Sequence, residues 1–422
     1  MAKPTYSKLP NGLPLITVPM VGTETAAVHV LVRVGSRLET AAESGLSHFL
    51  EHMVFKGTER RPDARTLTQI LDGVGAEYNA YTTKEFTGYY IKAAAEHLPL
   101  AVDVLSDMLW HSKFEAAELE REKKVIVEEI NMYQDNPLMH IGDLLEGGVF
   151  RGSTLGTLIS GTRESVVALQ RAQLLNFWQS YYHPANMLLV VAGKLSKSGL
   201  QSITKRFGEQ RPGGRKGAFK RFVPSPRAPY VTLHFKETEQ VQLALGFPGL
   251  GYGHKRLLAL ELLSIVLGGN MSSRLFVRLR EKEGLCYSVR AGVDCYQGTG
   301  LFVVQAGLDR GRLPLAIKLI REELSKVVSG GVDEGELSRA KEYSRGRFTL
   351  ALEDSAAQAD WAAKRLFLEG SRETPHEHLK RMDKVKALEL KQVAQEVLNL
   401  KHSTLALIGP FKKPEPWQKL LT

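Results

Sequence analysis

Two histidines four residues apart with a glutamate beside the second, His48-Phe49-Leu50-Glu51-His52, are the side chains in this sequence best suited to chemistry. The residues from Gly45 to Gly57 are good helix formers, with Ser44 or a near neighbour able to cap the start and Gly57 able to end it. On that helix both imidazoles project from one face and can meet at a single cation, and Glu51 lies on the same side, one turn after His48. This is the two-histidine geometry of a zinc hydrolase, with the glutamate reversed relative to the commoner His-Glu-x-x-His. Two solvated or core-capping histidines are the competing reading.

A catalytic zinc takes three protein ligands and a water, so the third ligand must come from another element. The stretch Ala116 to Tyr133 reads as a long helix on which Glu122, Val125, Glu129 and Met132 form one stripe, while Glu128 is rotated by about 100°. Glu122 and Glu129 suit one ligand and one acceptor that holds a histidine N–H. A solvated, ion-paired face is the alternative on a helix so rich in Glu and Lys.

From His52 to Glu129 is 77 positions, and with that spacing the chain resembles the zinc peptidases that include pitrilysin, insulin-degrading enzyme and the mitochondrial processing peptidase. The resemblance implies one zinc ion per chain held by His48, His52 and Glu129, with Glu51 as general base and Glu122 as a supporting acid. Glu128 is the runner-up ligand. Asn79-Ala80-Tyr81-Thr82 resembles the family's edge strand, which implies that Asn79, Ala80 and Tyr81 bind the substrate main chain by β-augmentation. An ordinary strand fits those residues equally well. The runs Gly268 to Phe276 and Arg280 to Val289 are similar to the family's C-terminal signature. By that likeness Arg280 is a cation for the substrate and Tyr287 a phenol donor to the developing oxyanion. One departure is Ser153-Thr154-Leu155-Gly156, where relatives often carry His-Pro-Leu-Gly.

The elements that must position these groups repeat along the chain. Ala168 to Trp178 followed by Asn186 to Gly193 finds its counterpart in Ala387 to Val397 followed by Ser403 to Gly409, and Ala26 to Val32 matches Val241 to Phe247. The basic, Pro- and Gly-rich stretch 211–229 lies between the copies, which gives an N-terminal zinc-binding domain 1–210 and a C-terminal domain 230–422. Each copy reads as an α+β unit, a mainly antiparallel sheet with helices packed on one face. The resemblance makes this a processing-peptidase-like metallohydrolase fold. The second copy has no His-x-x-Glu-His at 260–271 and is expected to bind no zinc. Gly268-Gly269-Asn270 lacks the lysine and spacing of a phosphate-binding loop and reads as a helix end.

At 43% hydrophobic and 24% charged residues, the composition of the 422-residue chain excludes disorder and low complexity. No apolar run approaches the roughly 18 residues of a spanning helix, so no membrane insertion is expected. The start shows no apolar signal core, which points to the cytoplasm, or to the periplasm if a leader has been trimmed. Cys286 and Cys295 are too few for a disulfide framework. Of the net charge of +10, much comes from Lys205, Arg206, Arg211, Arg215, Lys216, Lys220, Arg221 and Arg227, opposed only by Glu209. Without interleaved aromatics at regular spacing this run reads as a solvated linker and is a weak nucleic-acid signal, so no nucleic-acid partner is expected. The family resemblance implies zinc-dependent endopeptidase action on short or unfolded peptides inside a closed chamber. A homodimer is expected in which Arg280 and Tyr287 complete the partner's site, with a heterodimer as the other arrangement. The rival function is a non-catalytic partner subunit of a heterodimeric processing-peptidase-like complex.

Overall fold

The computed structural model describes residues 3–208, 213–223 and 229–421. In chain order the first half forms β1 (Thr5–Lys8), β2 (Pro14–Pro19), β3 (Thr25–Val32), α1 (Leu46–Met53), α2 (Ala64–Asp72), β4 (Glu77–Thr82), β5 (Thr87–Ala94), α3 (Leu98–His111), α4 (Ala116–Asp135), α5 (Pro137–Val149), α6 (Arg163–Ala168), α7 (Arg171–Tyr181), β6 (Met187–Gly193) and α8 (Lys197–Phe207). The second half forms β7 (Tyr230–Phe235), β8 (Gln240–Gly249), α9 (Leu257–Ser264), two π-helical stretches (Ile265–Gly269 and Phe276–Lys282), β9 (Cys286–Tyr296) and β10 (Thr299–Asp309). It continues with α10 (Leu313–Gly330), α11 (Glu334–Ala351), α12 (Ser355–Glu369), α13 (Pro375–Asp383), α14 (Ala387–Val397), β11 (Thr404–Gly409) and α15 (Glu415–Lys419).

The strands form two sheets, ordered β1-β2-β6-β3-β5-β4 and β7-β11-β8-β10-β9. Apart from the extra β1, the two orders correspond strand for strand. Both contain one parallel pair, β2 with β6 and β7 with β11, and antiparallel pairs otherwise. The α+β class read from the sequence is therefore the observed one.

Central strands of both sheets are apolar on both faces, so each face needs a cover. On β3, Val28, Val30 and Val32 join the core beneath α1 and α3, whereas Ala27, His29 and Leu31 are buried on the opposite face. That second face is covered by α12, whose Asp360 accepts from Tyr81 and whose Phe367 carbonyl accepts from Arg33. In the second sheet α5 plays the same part, packing Ile141 and Leu145 on Ala244, Ala406 and Ile408. The one-face expectation thus lacks a layer, because a single exchanged helix closes each sheet from behind.

The compact units differ accordingly from contiguous domains 1–210 and 230–422. One unit contains the chain up to Ile130, Thr157–Phe219 and Phe348–Thr374; the other contains Asn131–Gly156, Lys220–Arg347 and the chain from Pro375. Within the 211–229 stretch, residues 213–223 have no regular structure. Arg215 N–H donates to the Ser180 carbonyl and Gly217 N–H to Asn186 Oδ1, which fixes this segment to the first unit. Glu209, Arg211 and Arg227 of the basic run lie outside the described residues. Among the described residues no helix is long and apolar enough to cross a membrane, and neither cysteine forms a disulfide.

Candidate metal centre

The segment that carries the histidines becomes α1 because its apolar residues recur on one face. Leu46, Phe49, Leu50 and Met53 are buried in the core, which leaves His48, Glu51 and His52 on the remaining surface. The helix is shorter than the 45–57 expectation, ending at Met53, with Gly45 at its start in the left-handed region at φ 90°. Its free N–H groups are met by Glu39 and not by Ser44: the carboxylate accepts from Gly45 N–H at 2.8 Å and Ser47 N–H at 2.7 Å. Burial pushes the Glu39 carboxyl up to about 7 against the lowering effect of those bonds.

Helix α4 brings its acidic stripe alongside. His48 Nε2 lies 3.7 Å and His52 Nε2 3.4 Å from the two oxygens of Glu129. One ligand atom from each of His48, His52 and Glu129 falls within 4.8 Å of the others, a grouping found nowhere else among the described residues. Glu128 is exposed and outside the group. His52 Nδ1 lies 3.2 Å from Glu122, whose other oxygen receives Lys56 Nζ at 2.6 Å. A proton on Nδ1 donated to Glu122 leaves the Nε2 lone pair facing Glu129.

Electrostatics follow this arrangement. Burial pushes His48 down to about 4, helped by cationic His52 and opposed by Glu129. Burial also works against the charge on His52, yet hydrogen bonds to Glu122 and Glu129 raise it to about 9. Glu122 is held below the usual carboxylate range in spite of burial, by His52 and Lys56. Glu129 is lowered by its bond to His52, with burial opposing. Glu51 is raised by burial, with a hydrogen bond from Thr82 pulling the other way. The Thr82 hydroxyl donates to Glu51 Oε2 at 2.5 Å.

Thr82 ends β4, the strand at the edge of the first sheet. Of the three residues read as substrate-binding, Asn79 is exposed, Ala80 is buried in the core, and Tyr81 reaches the opposite face. There the Tyr81 hydroxyl donates to Asp360 at 3.0 Å and lies 3.3 Å from His29 Nε2. Its ring passes over Gly88, where a Cβ would stand 2.5 Å from it. The sheet leaves the outer main-chain edge of β4 without a neighbouring strand among the described residues.

Arg280 and Tyr287 belong to the second unit. The Arg280 guanidinium lies 4.8 Å from the Phe276 ring centre and 4.9 Å from that of Tyr287, a residue 81% exposed. Sequence reasoning missed Glu39, Lys56 and the hydrogen-bonding part of Thr82. Lys56 left a signal, four positions beyond His52. Thr82 left none, because its partner is 31 positions away, and Glu39 left none because it caps the helix from six residues before Gly45, outside the usual capping positions.

Two imidazole nitrogens and a carboxylate, with a histidine oriented by a second carboxylate, form a donor set that fits a divalent transition ion. Fold and site together define a two-unit α+β protein whose first unit groups two histidines and a carboxylate that could hold a metal ion. Residues 17–163 match the family described as Insulinase (Peptidase family M16), and residues 168–343 match the Peptidase M16 inactive domain. The chain is 36% identical over 400 residues to the uncharacterized zinc protease YmxG of Bacillus subtilis strain 168, covering 95% of this chain and 97% of that protein. It is 34% identical over 415 residues to an uncharacterized zinc protease of Streptomyces coelicolor, covering 96% of this chain and 89% of the relative. Among solved structures, a protease from Helicobacter pylori superposes with a TM-score of 0.90 at 23% identity, over 97% of this chain and 99% of that one. The chain belongs to peptidase family M16.

Proposed function

We propose that this chain is a zinc-dependent endopeptidase acting on short or unfolded polypeptides. The observation that carries the reading is the convergence of His48, His52 and Glu129 beside Glu51 on an otherwise apolar helix. His48, His52 and Glu129 would hold zinc, as the names of the relatives suggest. Zinc, when bound, supplies a Lewis acid that polarises the scissile carbonyl and acidifies the attacking water.

Glu51 takes the proton of that water and returns it to the departing amine. Glu122 holds the Nδ1 proton of His52 and so fixes its ring. The free edge of β4, through Asn79, Ala80 and Tyr81, pairs with the substrate main chain, which gives affinity with little dependence on side chains. A demand for an extended backbone favours unfolded substrates over folded ones. Arg280 and Tyr287 contribute a cation and a phenol to the reacting region, supplied by a second copy in a homodimer. In the rival reading, a non-catalytic partner subunit, the intact set of His48, Glu51, His52 and Glu129 would have no purpose.

The test is cleavage of a peptide library, read by mass spectrometry, with zinc, with chelator, and with Glu51→Gln protein that retains its zinc. Cleavage is expected only from the zinc-loaded parent, with Glu51→Gln lowered at least about a thousandfold. Undiminished cleavage by Glu51→Gln would exclude the assigned base.

A further inference from the structure

The hydrogen bond between Thr82 and Glu51 joins two parts of the site that sequence separates by 31 positions, the edge strand and the metal-motif helix. It engages Oε2 of the carboxylate. A glutamate side chain has three soft torsions, and this bond fixes the last of them.

The donor is itself held firmly. Beyond Thr82 the β4–β5 turn is clamped by a strap that follows β3. Ser36 N–H donates to the Thr83 carbonyl at 3.3 Å, Arg37 N–H to the Lys84 carbonyl at 2.7 Å, and the Arg37 guanidinium pairs with the Glu85 carboxylate. Gly35 lies so near this turn that a Cβ would stand 2.2 Å from the Thr83 oxygen. The same strap carries Glu39, which caps α1. One segment therefore sets both the start of the helix bearing Glu51 and the turn bearing Thr82, and the hydrogen bond closes the loop between them.

We propose that Thr82 is a positioning residue that ties the end of the edge strand to the Glu51 carboxylate, so that a polypeptide pairing along β4 meets a base already aimed. This rests on the peptidase reading, in which Glu51 is the base and β4 the substrate strand. Thr82 acts only through Glu51, whose carboxylate receives the proton.

The experiment compares Thr82→Val, which keeps shape and strand preference but removes the hydroxyl, with Thr82→Ser, which keeps the hydroxyl. Steady-state kinetics, zinc content and melting temperature are measured for both beside the parent. Thr82→Val is expected to lower kcat about 10- to 100-fold, as loss of a hydrogen bond to a charged group would. Its KM should stay within about twofold and its zinc content should match the parent. Thr82→Ser should recover most of kcat. A parental kcat in Thr82→Val, or equal losses in both variants, would overturn the inference while leaving the peptidase reading intact. Should Thr82→Val fail to fold, Thr82→Ala and Thr82→Ser decide by the same comparison. An inert parent with its zinc in place would sink the peptidase reading and this inference with it.

Discussion

Glu122 is a carboxylate at 2% exposure that two cationic groups share, His52 through one oxygen and Lys56 through the other. Burying a carboxylate this deeply is unfavourable unless it is paired, and the pairing does more than stabilise: it sets which His52 nitrogen is free to bind a metal. Lys56 reaches His52 only through Glu122. Glu122→Gln is therefore expected to weaken zinc about 10- to 100-fold, and Lys56→Met to weaken it in the same direction. In a Glu122→Gln background, Lys56→Met should add nothing further. Competition against a chromophoric chelator measures all four proteins, and additive losses would show that Lys56 acts by another route. The histidine pair was legible because helical spacing alone puts both rings on one face, whereas Glu129 was singled out from Glu122 and Glu128 only by the resemblance in spacing from His52. Thr82 was not legible, since it reaches Glu51 only once the edge strand has packed beside the helix, and Glu39 was not, since it caps that helix through a loop with no periodic pattern.

At the level of elements, the sheet that carries β4 holds a histidine in its second face. His29 on β3 is buried at 3% exposure, between Tyr90 of the adjacent β5, Tyr81 of β4 beyond it, and the Asp360 and Lys364 side chains of α12. Burial pushes its imidazole down to about 4, with Asp360 pulling upward and Lys364 adding to the depression. Between an ordinary value near 6.5 and about 4, the unfolded chain takes up a proton that the folded chain refuses. Stability is therefore lost as pH falls through that window, at a rate on the order of 1.4 kcal/mol per unit. The melting temperature of the parent should drop more steeply from pH 6.5 to 4.5 than that of His29→Gln, and parallel slopes would refute this. Period-two alternation made β3 legible, and the repeat match made β6 legible, whose residues Met187 to Gly193 are all buried. What covers the second face was not legible, because α12 is an amphipathic helix like several others and nothing in its pattern names its sheet.

Across the whole molecule, the internal repeat was visible while the exchange of α5 and α12 was not, and the unit boundaries fall inside the continuous helices α4 and α11. Neither half of the chain owns the second layer of its own sheet. Exchange between the two halves of the chain is thus built into the fold, and a homodimer would extend it by lending Arg280 and Tyr287 to the candidate metal centre of a second copy. Mixing two inactive proteins tests this, one with Glu51→Gln and the other with Arg280→Ala. If Arg280 serves its own chain, every site in the mixture carries one lesion or belongs to a chain that does, and no activity returns. If it serves the partner, each hybrid dimer contains one site with an intact Glu51 and an intact borrowed arginine. Equal mixing makes half the dimers hybrid, with one working site of two, so about a quarter of parental activity should return. That recovery should also fade on dilution as dimers dissociate, whereas a site completed within one chain would be indifferent to concentration.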